Sequence, residues 1–584
     1  MSSSSSRPNA ASSLGALAGA LRAARPVWSQ ERLVAVVALY CVMAGNAGWW
    51  SAVASGRDMA APSNWMFVAA CGIALVALHF VLLALPATRW TVRPWLSALV
   101  VTTAGASYLM DSYNVLIDAS MLRNVLHTDA REAGELISLA LLSHVVLWSA
   151  LPLAVIWTVR LHPRSWARAM AVRGASLLAA VAIAAISLLP IARDFMPMMR
   201  NQHELRYLIT PGNVLVGLVN VGAADARTAR RTREPVGTDA THVAATGMRP
   251  RVFVLVVGET ARAANFQLDG YARATNPQLA KLDIVNFGDV TACGTSTEVS
   301  LPCMFSPWGR REYDESRIRG AEGMLHVASR AGYDVLWIDN QSGCKGVCDG
   351  ANIRTHRVQP ADQAEDCTAD GCHDMALVTQ LAKALAGTRR DTVIVLHMLG
   401  NHGPAYFKRY PPQFRRFTPD CRSEELRRCS REEIVNAFDN VILYTDHVLA
   451  SAIRLLDASS AQLDTALLYV SDHGESLGES GLYLHGLPYA IAPRTQTRVP
   501  MIYWQSAGFA RLTGVDAQCL RTHADAPRSH DNLFHSVLGL LDVSTTARDP
   551  ALDLFAACRT ASQAPRTLTA GSLLQPAPAT QARR

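Results

Sequence analysis

Five long apolar runs crowd into residues 33–192, and they place the first third of this chain in a membrane. They cover roughly 33–54, 65–87, 94–113, 136–159 and 174–192. Each approaches the ~20 apolar residues that a helix needs to cross a bilayer. The third, PWLSALVVTTAGASYLMDSY, is the least apolar. From 250 to 560 the sequence reads as an ordinary soluble domain, so the overall 50% hydrophobic and 18% charged content averages two unlike parts.

The loops between the runs set an orientation. Arg22, Arg25 and Arg32 precede the first run, Arg89 and Arg93 follow the second, and Arg160, Arg164, Arg168 and Arg173 follow the fourth. The alternate loops pair Arg57 with Asp58, or carry Asp111, Asp118, Asp129, Glu132 and Glu135. Basic loops stay in the cytoplasm, so five spans deliver everything after residue 192 to the outside. The first run is too long for a signal-peptide core and shows no clear cleavage site, so it reads as a retained anchor. The expected organisation is a cytoplasmic tail (1–31), a five-span domain (32–192), a membrane-surface helix and linker (193–249), a soluble domain (250–560) and a disordered tail (561–584).

Cysteine usage fits this topology. Cys41 and Cys71 fall within spans, and the other ten lie on the external side. In an oxidising compartment disulfides are expected. The spacing suggests Cys293 with Cys303, Cys344 with Cys348, Cys367 with Cys372 and Cys421 with Cys429, leaving Cys519 with Cys558. Paired CxxC units, the mark of a zinc-cysteine cluster, are absent from the sequence. The net charge of +7 is mild; the Arg-rich stretch 227–234 reads as a linker facing anionic lipid, and the external location excludes a nucleic-acid partner.

Within the soluble domain, apolar strand-like runs at 252–257, 334–338, 392–397 and 465–470 alternate with helix-like stretches at 372–386 and 431–456, which argues for a mainly parallel α/β sheet. Ligands gather at the carboxyl ends of such strands. There the sequence places Glu259, then Asn401 and His402, then Asp472 and His473, with His485 shortly after. Carboxylates and imidazoles converging from three strand ends suit zinc, with a coordination position left for a reacting group. The stretch CGTSTEVSLPC (293–303) supplies hydroxyls in a loop that a disulfide would stiffen. Gly294 permits a tight turn, and Ser296 or Thr297 can cap a following helix whose amides favour a phosphate oxygen. Taken alone, this stretch favours an inert helix cap over a nucleophile holder.

The segments GETAR (258–262), CGTST (293–297), NHGPAYFKRY (401–410), SDHGESLGE (471–479) and YLHG (483–486) together resemble the lipid A phosphoethanolamine transferases, a family that includes the mobile colistin-resistance enzymes. The resemblance covers nearly the whole chain. It implies an alkaline-phosphatase-like α/β domain, external and zinc-dependent, on a five-helix membrane anchor. Thr297 resembles the family nucleophile, and Glu259, Asp472 and His473 match the residues that hold zinc beside it. His402 and His485 match histidines assigned to substrate phosphate or to a second, looser zinc. Ser342 and Lys345, in SGCK, match residues near bound phosphoethanolamine. Asn124, Thr128 and Glu132, four residues apart and hence expected on one helix face, match contacts to the ethanolamine head. His397 lies inside a strand-like run and reads as structural.

The function so implied is transfer of phosphoethanolamine from phosphatidylethanolamine to a lipid A phosphate through a covalent intermediate on Thr297, in the bacterial inner membrane with the site in the periplasm. Less negative lipid A binds polymyxins and other cationic peptides poorly. The chain is expected to act as a monomer. The metal site itself does not choose between water and a lipid acceptor, so core sugars, another glycan, a phosphatase or a phosphoglycerol transferase stay open at this stage. A sulfatase is disfavoured because the sequence contains neither Cys-x-Pro-x-Arg nor Ser-x-Pro-x-Arg. The intact set of ligands and nucleophile argues against a non-catalytic sensor.

Overall fold

The computed structural model describes residues 25–128, 130–229, 232–242, 249–350, 352–361, 365–368 and 371–560. Most of the expected cytoplasmic tail and the whole expected disordered tail lie outside the described residues.

The membrane part begins with α1 (Gln30–Ala44) and α2 (Ala47–Ala54), followed by α3 (Pro62–Ala84) and α4 (Val92–Tyr113). A short helix α5 (Ala119–His127) then precedes α6 (Leu139–Thr158) and α7 (Trp166–Leu188). Large apolar side chains on the outer faces of α6 and α7, among them Leu139, Leu147, Leu178 and Ile186, are exposed, as lipid-facing residues are. Three described helices are long and apolar enough to cross a membrane, or four if α1 and α2 form one span bent by 64°. The five apolar runs are thus all helical, but α4 falls short on apolarity and the first run is broken. The break is built by the sequence. A β carbon on Gly45 would sit 2.2 Å from the Thr103 methyl, so only glycine permits this approach. Asn46 next to it donates to the carbonyls of Cys41 (2.8 Å) and Thr210 (2.9 Å) and accepts from the Thr210 amide (2.7 Å). The segment after α7 is helical through Ala192–Asn201, and α8 (Gly212–Ala229) replaces the first part of the expected linker.

The soluble domain is built on eight strands: β1 (Arg251–Gly258), β2 (Val285–Thr291), β3 (Asp334–Asp339), β4 (Ile353–Arg357), β5 (Thr392–His397), β6 (Asp464–Ser471), β7 (Arg498–Gln505) and β8 (Arg528–Ser529). Their order across the sheet is β8-β2-β7-β6-β1-β5-β3-β4. All run parallel except β7, which is antiparallel to both β6 and β2, so the sheet is mixed. Strands β1, β5 and β6 are buried along their whole lengths, and large apolar clusters cover both faces of the sheet. This is why their sequences are unbroken apolar runs rather than alternating ones. The short helix α9 (Thr297–Met304) follows β2. Helix α10 (Arg431–Ala458) packs on one face, started by a capping box in which Ser430 and Glu433 satisfy each other's backbone amides.

All five expected cysteine pairs are joined: Cys293 with Cys303, Cys344 with Cys348, Cys367 with Cys372, Cys421 with Cys429, and Cys519 with Cys558. They do unlike work. Cys367 lies opposite Cys372 in a short antiparallel pair outside the main sheet, and the buried Cys372 offers its carbonyl to the Asn340 side chain at 3.0 Å. Cys429 immediately precedes the Ser430 cap of α10, so its bridge to the buried Cys421 ties the incoming loop to the start of that helix. Cys372 and Cys429 are therefore structural cross-links, whereas Cys293 and Cys303 bracket the candidate nucleophile.

The segment after α4 docks the two parts together. Tyr113 and Val115 pack into the soluble domain's core, and the Asn114 side chain donates to the Gly481 carbonyl at 2.6 Å. Arg123 of α5 pairs with Asp225 of α8 and with Glu315 of the soluble domain. Arg409 meets Glu135 at 2.5 Å with both side chains buried. Removing one partner of a buried pair costs about 3–5 kcal/mol, because the other charge is left in low dielectric. Glu135→Ala is therefore expected to lower the thermal midpoint of the detergent-solubilised chain by about 5 °C or more, read by scanning calorimetry.

Candidate active site

Strand register creates the site. β1 and β6 pair in parallel with Gly258 opposite Ser471, so Glu259 and Asp472 leave neighbouring strands at the same level. Both carboxylates are fully buried, as is His473. Thr260 adopts φ 60°, a costly left-handed conformation for a β-branched residue. In that conformation its amide reaches Asp472 Oδ1 (3.1 Å) and its hydroxyl donates to Glu259 Oε1 (2.6 Å). The opposite wall follows β5, where Gly400 turns at φ 49°. A β carbon there would lie 2.6 Å from the Glu259 carbonyl oxygen, so glycine is needed for Asn401 N to bond to that oxygen (2.9 Å) and for His402 to follow.

Thr297 is the first residue of α9, with Ser296 at the N-cap position. The Thr297 hydroxyl donates to Glu259 Oε2 at 2.9 Å and lies 3.4 Å from His473 Nε2. Thr295 is a loop fastener: its hydroxyl donates to the Leu487 carbonyl at 2.7 Å, and its own carbonyl accepts from Gly486 N at 2.8 Å. The Cys293–Cys303 disulfide closes this nucleophile loop.

Glu259, Asp472 and His473 bring one ligand atom each to within 4.8 Å of one another. His473 donates from Nδ1 to the Gly474 carbonyl (2.9 Å), which turns Nε2 toward Glu259 (3.3 Å) and Asp472 (3.5 Å). Asp472 Oδ2 is buried and accepts no hydrogen bond. Such a cluster calls for a cation. Burial alone disfavours charge on all three groups. Even so, the two carboxylates raise the His473 pKa to about 10, and the imidazole holds Glu259 below the ordinary carboxylate range. Burial, followed by the charge of Glu259, pushes Asp472 upward. Two carboxylates, an imidazole and a nearby hydroxyl fit tetrahedral zinc.

His485 packs at a tilt against His473 (ring centroids 4.4 Å apart), and the His402 ring centroid lies 6.0 Å from that of His485. Burial pushes the His402 pKa down to about 3. Lys345 is largely buried rather than a solvated surface charge. Its ammonium donates to the Ser342 hydroxyl (2.8 Å) and to the His127 carbonyl (3.3 Å). Gln341, unremarked in the sequence, links this loop to Glu259 Oε2 at 3.3 Å.

The expected helix face of Asn124, Thr128 and Glu132 is not formed. Helix α5 ends at His127, and Thr128 is its extended C-cap, its hydroxyl turned back to the Asn124 carbonyl at 2.6 Å. The Glu132 side chain lies outside the described residues. His127, at the end of α5, instead reaches the buried carboxylate of Glu298 (3.1 Å), the residue after the nucleophile, which Arg319 also binds (2.8 Å). His397 is fully buried and pairs with Asp339 at 2.8 Å. Sequence reading also missed His530, which carries no motif signal; burial pushes its pKa down to about 3.

A mixed sheet with buried Glu, Asp and His at its strand ends, able to hold a metal ion, and a hydroxyl on a helix N-terminus is the arrangement of an alkaline-phosphatase-like sulfatase domain. The Sulfatase family model matches residues 251–543, and the Phosphoethanolamine transferase EptA/EptB model matches 75–226. Phosphoethanolamine transferase EptA of Escherichia coli K12 is 35% identical over 92% of this chain and 99% of its own length. Phosphatidylethanolamine transferase Mcr-1 of Escherichia coli is 34% identical over 88% of this chain and 95% of its own. The solved integral membrane protein lipooligosaccharide phosphoethanolamine transferase A of Neisseria meningitidis superposes with a TM-score of 0.86 at 35% identity, covering 91% of this chain and 99% of that one. The chain belongs to the phosphoethanolamine transferase family.

If the trio holds zinc, Glu259→Gln and Asp472→Asn should each weaken zinc binding at least about tenfold, read by metal titration. Chelator treatment of wild type should lower its thermal midpoint reversibly, and neither variant should respond as strongly.

Proposed function

We propose that the chain transfers phosphoethanolamine from phosphatidylethanolamine to a lipid A phosphate. The observation that carries this reading is the Thr297 hydroxyl at the start of α9, hydrogen-bonded to Glu259 at 2.9 Å and adjoining His473. Zinc held by Glu259, Asp472 and His473 would supply Lewis acidity, lowering the hydroxyl pKa and offsetting phosphoryl charge. Glu259 accepts the Thr297 hydrogen bond and orients that oxygen, and the hydroxyl proton passes to the departing glycerol oxygen. The Thr297 oxygen then attacks phosphorus, the bond from phosphorus to the glycerol oxygen breaks, and diacylglycerol leaves with a proton. Phosphoethanolamine remains on Thr297 until a lipid A phosphate oxygen attacks it and restores the hydroxyl. Lys345, Ser342, His402 and His485 bind the phosphoryl oxygens, and the free amides at the α9 N-terminus favour the same charge. Were a second, looser zinc to bind, His402 and His485 would hold it in place of the phosphoryl oxygens.

In this reading α1 with α2 counts as one bent span and α4 as a further one, an odd number of crossings that puts the catalytic domain on the periplasmic side, an oxidising compartment in which its disulfides persist. The site then faces the bilayer surface that both lipid substrates occupy. The protein acts as a monomer, and its product, less negative lipid A, weakens polymyxin binding.

Lipid A from cells expressing the wild-type chain should carry a phosphoethanolamine increment by mass spectrometry, and Thr297→Ala should abolish it. An increment that persists in the variant would exclude Thr297 as nucleophile, and none in wild type would exclude lipid A as acceptor.

A further inference from the structure

His530 is a fully buried polar side chain that the reaction above leaves unused. It follows the short strand β8, at the sheet edge. Its Nδ1 accepts the backbone N–H of Cys293 at 3.1 Å, and its Nε2 lies 3.0 Å from the carbonyl oxygen of Ser471. An amide N–H only donates and a carbonyl only accepts, so the ring is the neutral tautomer with its proton on Nε2. Ser300, on α9, completes the arrangement. Its hydroxyl oxygen lies 3.4 Å from His530 Nδ1 and accepts from Gly294 N at 3.3 Å, while its O–H donates to the Asp472 carbonyl. Two amides of the nucleophile loop and two carbonyls of the ligand-bearing strand end therefore meet on one His–Ser pair.

We propose that His530, resting on the transferase reading above, is a positioning residue that fixes the Thr297 loop against the Asp472–His473 strand end. The Cys293–Cys303 disulfide closes the loop on itself but does not tie it to the sheet. Thr295 fastens the loop to Gly486 and Leu487, while His530 and Ser300 tie it to the strand end that carries Asp472 and His473, and so set the reach of the Thr297 hydroxyl to Glu259 and His473. A misplacement of about 1 Å at such a distance costs on the order of 100-fold in rate.

The test uses the full chain in detergent with labelled phosphatidylethanolamine, following diacylglycerol release in a single turnover. His530→Ala should slow release about 100-fold, with KM for the lipid within about twofold of wild type and zinc content retained. Glutamine keeps a donor near the Nε2 position for Ser471, and asparagine keeps an acceptor near the Nδ1 position for Cys293. His530→Gln and His530→Asn should each recover part of the loss, about fivefold or more over alanine. Ser300→Ala, a small change that should spare the fold, should slow the same step about tenfold. Release by folded His530→Ala at the wild-type rate overturns the proposal, as does a rate lost only in proportion to unfolded protein while Ser300→Ala matches wild type. A wild type that releases no diacylglycerol overturns the transferase reading, and the proposal with it.

Discussion

Two carboxylates forced side by side in a dry sheet end are the constraint on which the rest of the catalytic domain depends. The register of β1 with β6 leaves no choice about it: Gly258 pairs with Ser471, so Glu259 and Asp472 emerge level with each other. Neither reaches water. Like charges so placed must be compensated, and the surrounding structure does it in layers. His473 supplies the nearest donor set, Thr260 and Gln341 add hydrogen bonds to the carboxylates, and the Thr297 hydroxyl points at the same oxygens. The trio of Glu259, Asp472 and His473 is suited to a divalent cation, which would complete the balance.

The membrane part is more than an anchor in this arrangement. The end of α5 provides the carbonyl that Lys345 bonds and the imidazole that meets Glu298, one residue past the nucleophile. Arg123 and Asp225 tie the same corner to Glu315, and Arg409 joins Glu135 to the backbone of His402. Lys345, Glu298 and the His402 backbone, all at the candidate site, are thus held from both parts of the chain.

Much of this was legible in the sequence because burial on both faces writes itself as continuous apolar runs. β1, β3, β5 and β6 announce themselves in that way, and the residues that end β1, β5 and β6 carry the site. Cysteine spacing revealed the cross-links for the same local reason: Cys372 and Cys429 each find a partner within ten residues. The edge and irregular strands were hidden. VNFGDVT (β2) and IRTHR (β4) are only partly buried, and β7 carries Pro500 at an irregularity in its pairing with β2. Spacing misled at α5: four-residue intervals suggested one face for Asn124, Thr128 and Glu132, but the helix ends first. His530 was invisible because its role comes from where the sheet edge delivers it, more than 50 residues from the strand it holds.

The Thr297 hydroxyl is the group proposed to carry phosphoethanolamine between lipids. The most direct measurement is the mass of the intact chain, loaded with zinc and incubated with phosphatidylethanolamine in the absence of acceptor, followed by fragmentation of the disulfide-reduced peptide spanning 293–303. One phosphoethanolamine per chain, on Thr297 and discharged when lipid A is added, is the predicted result. An unmodified chain that nevertheless delivers phosphoethanolamine to lipid A, or a label on any other residue, would contradict it.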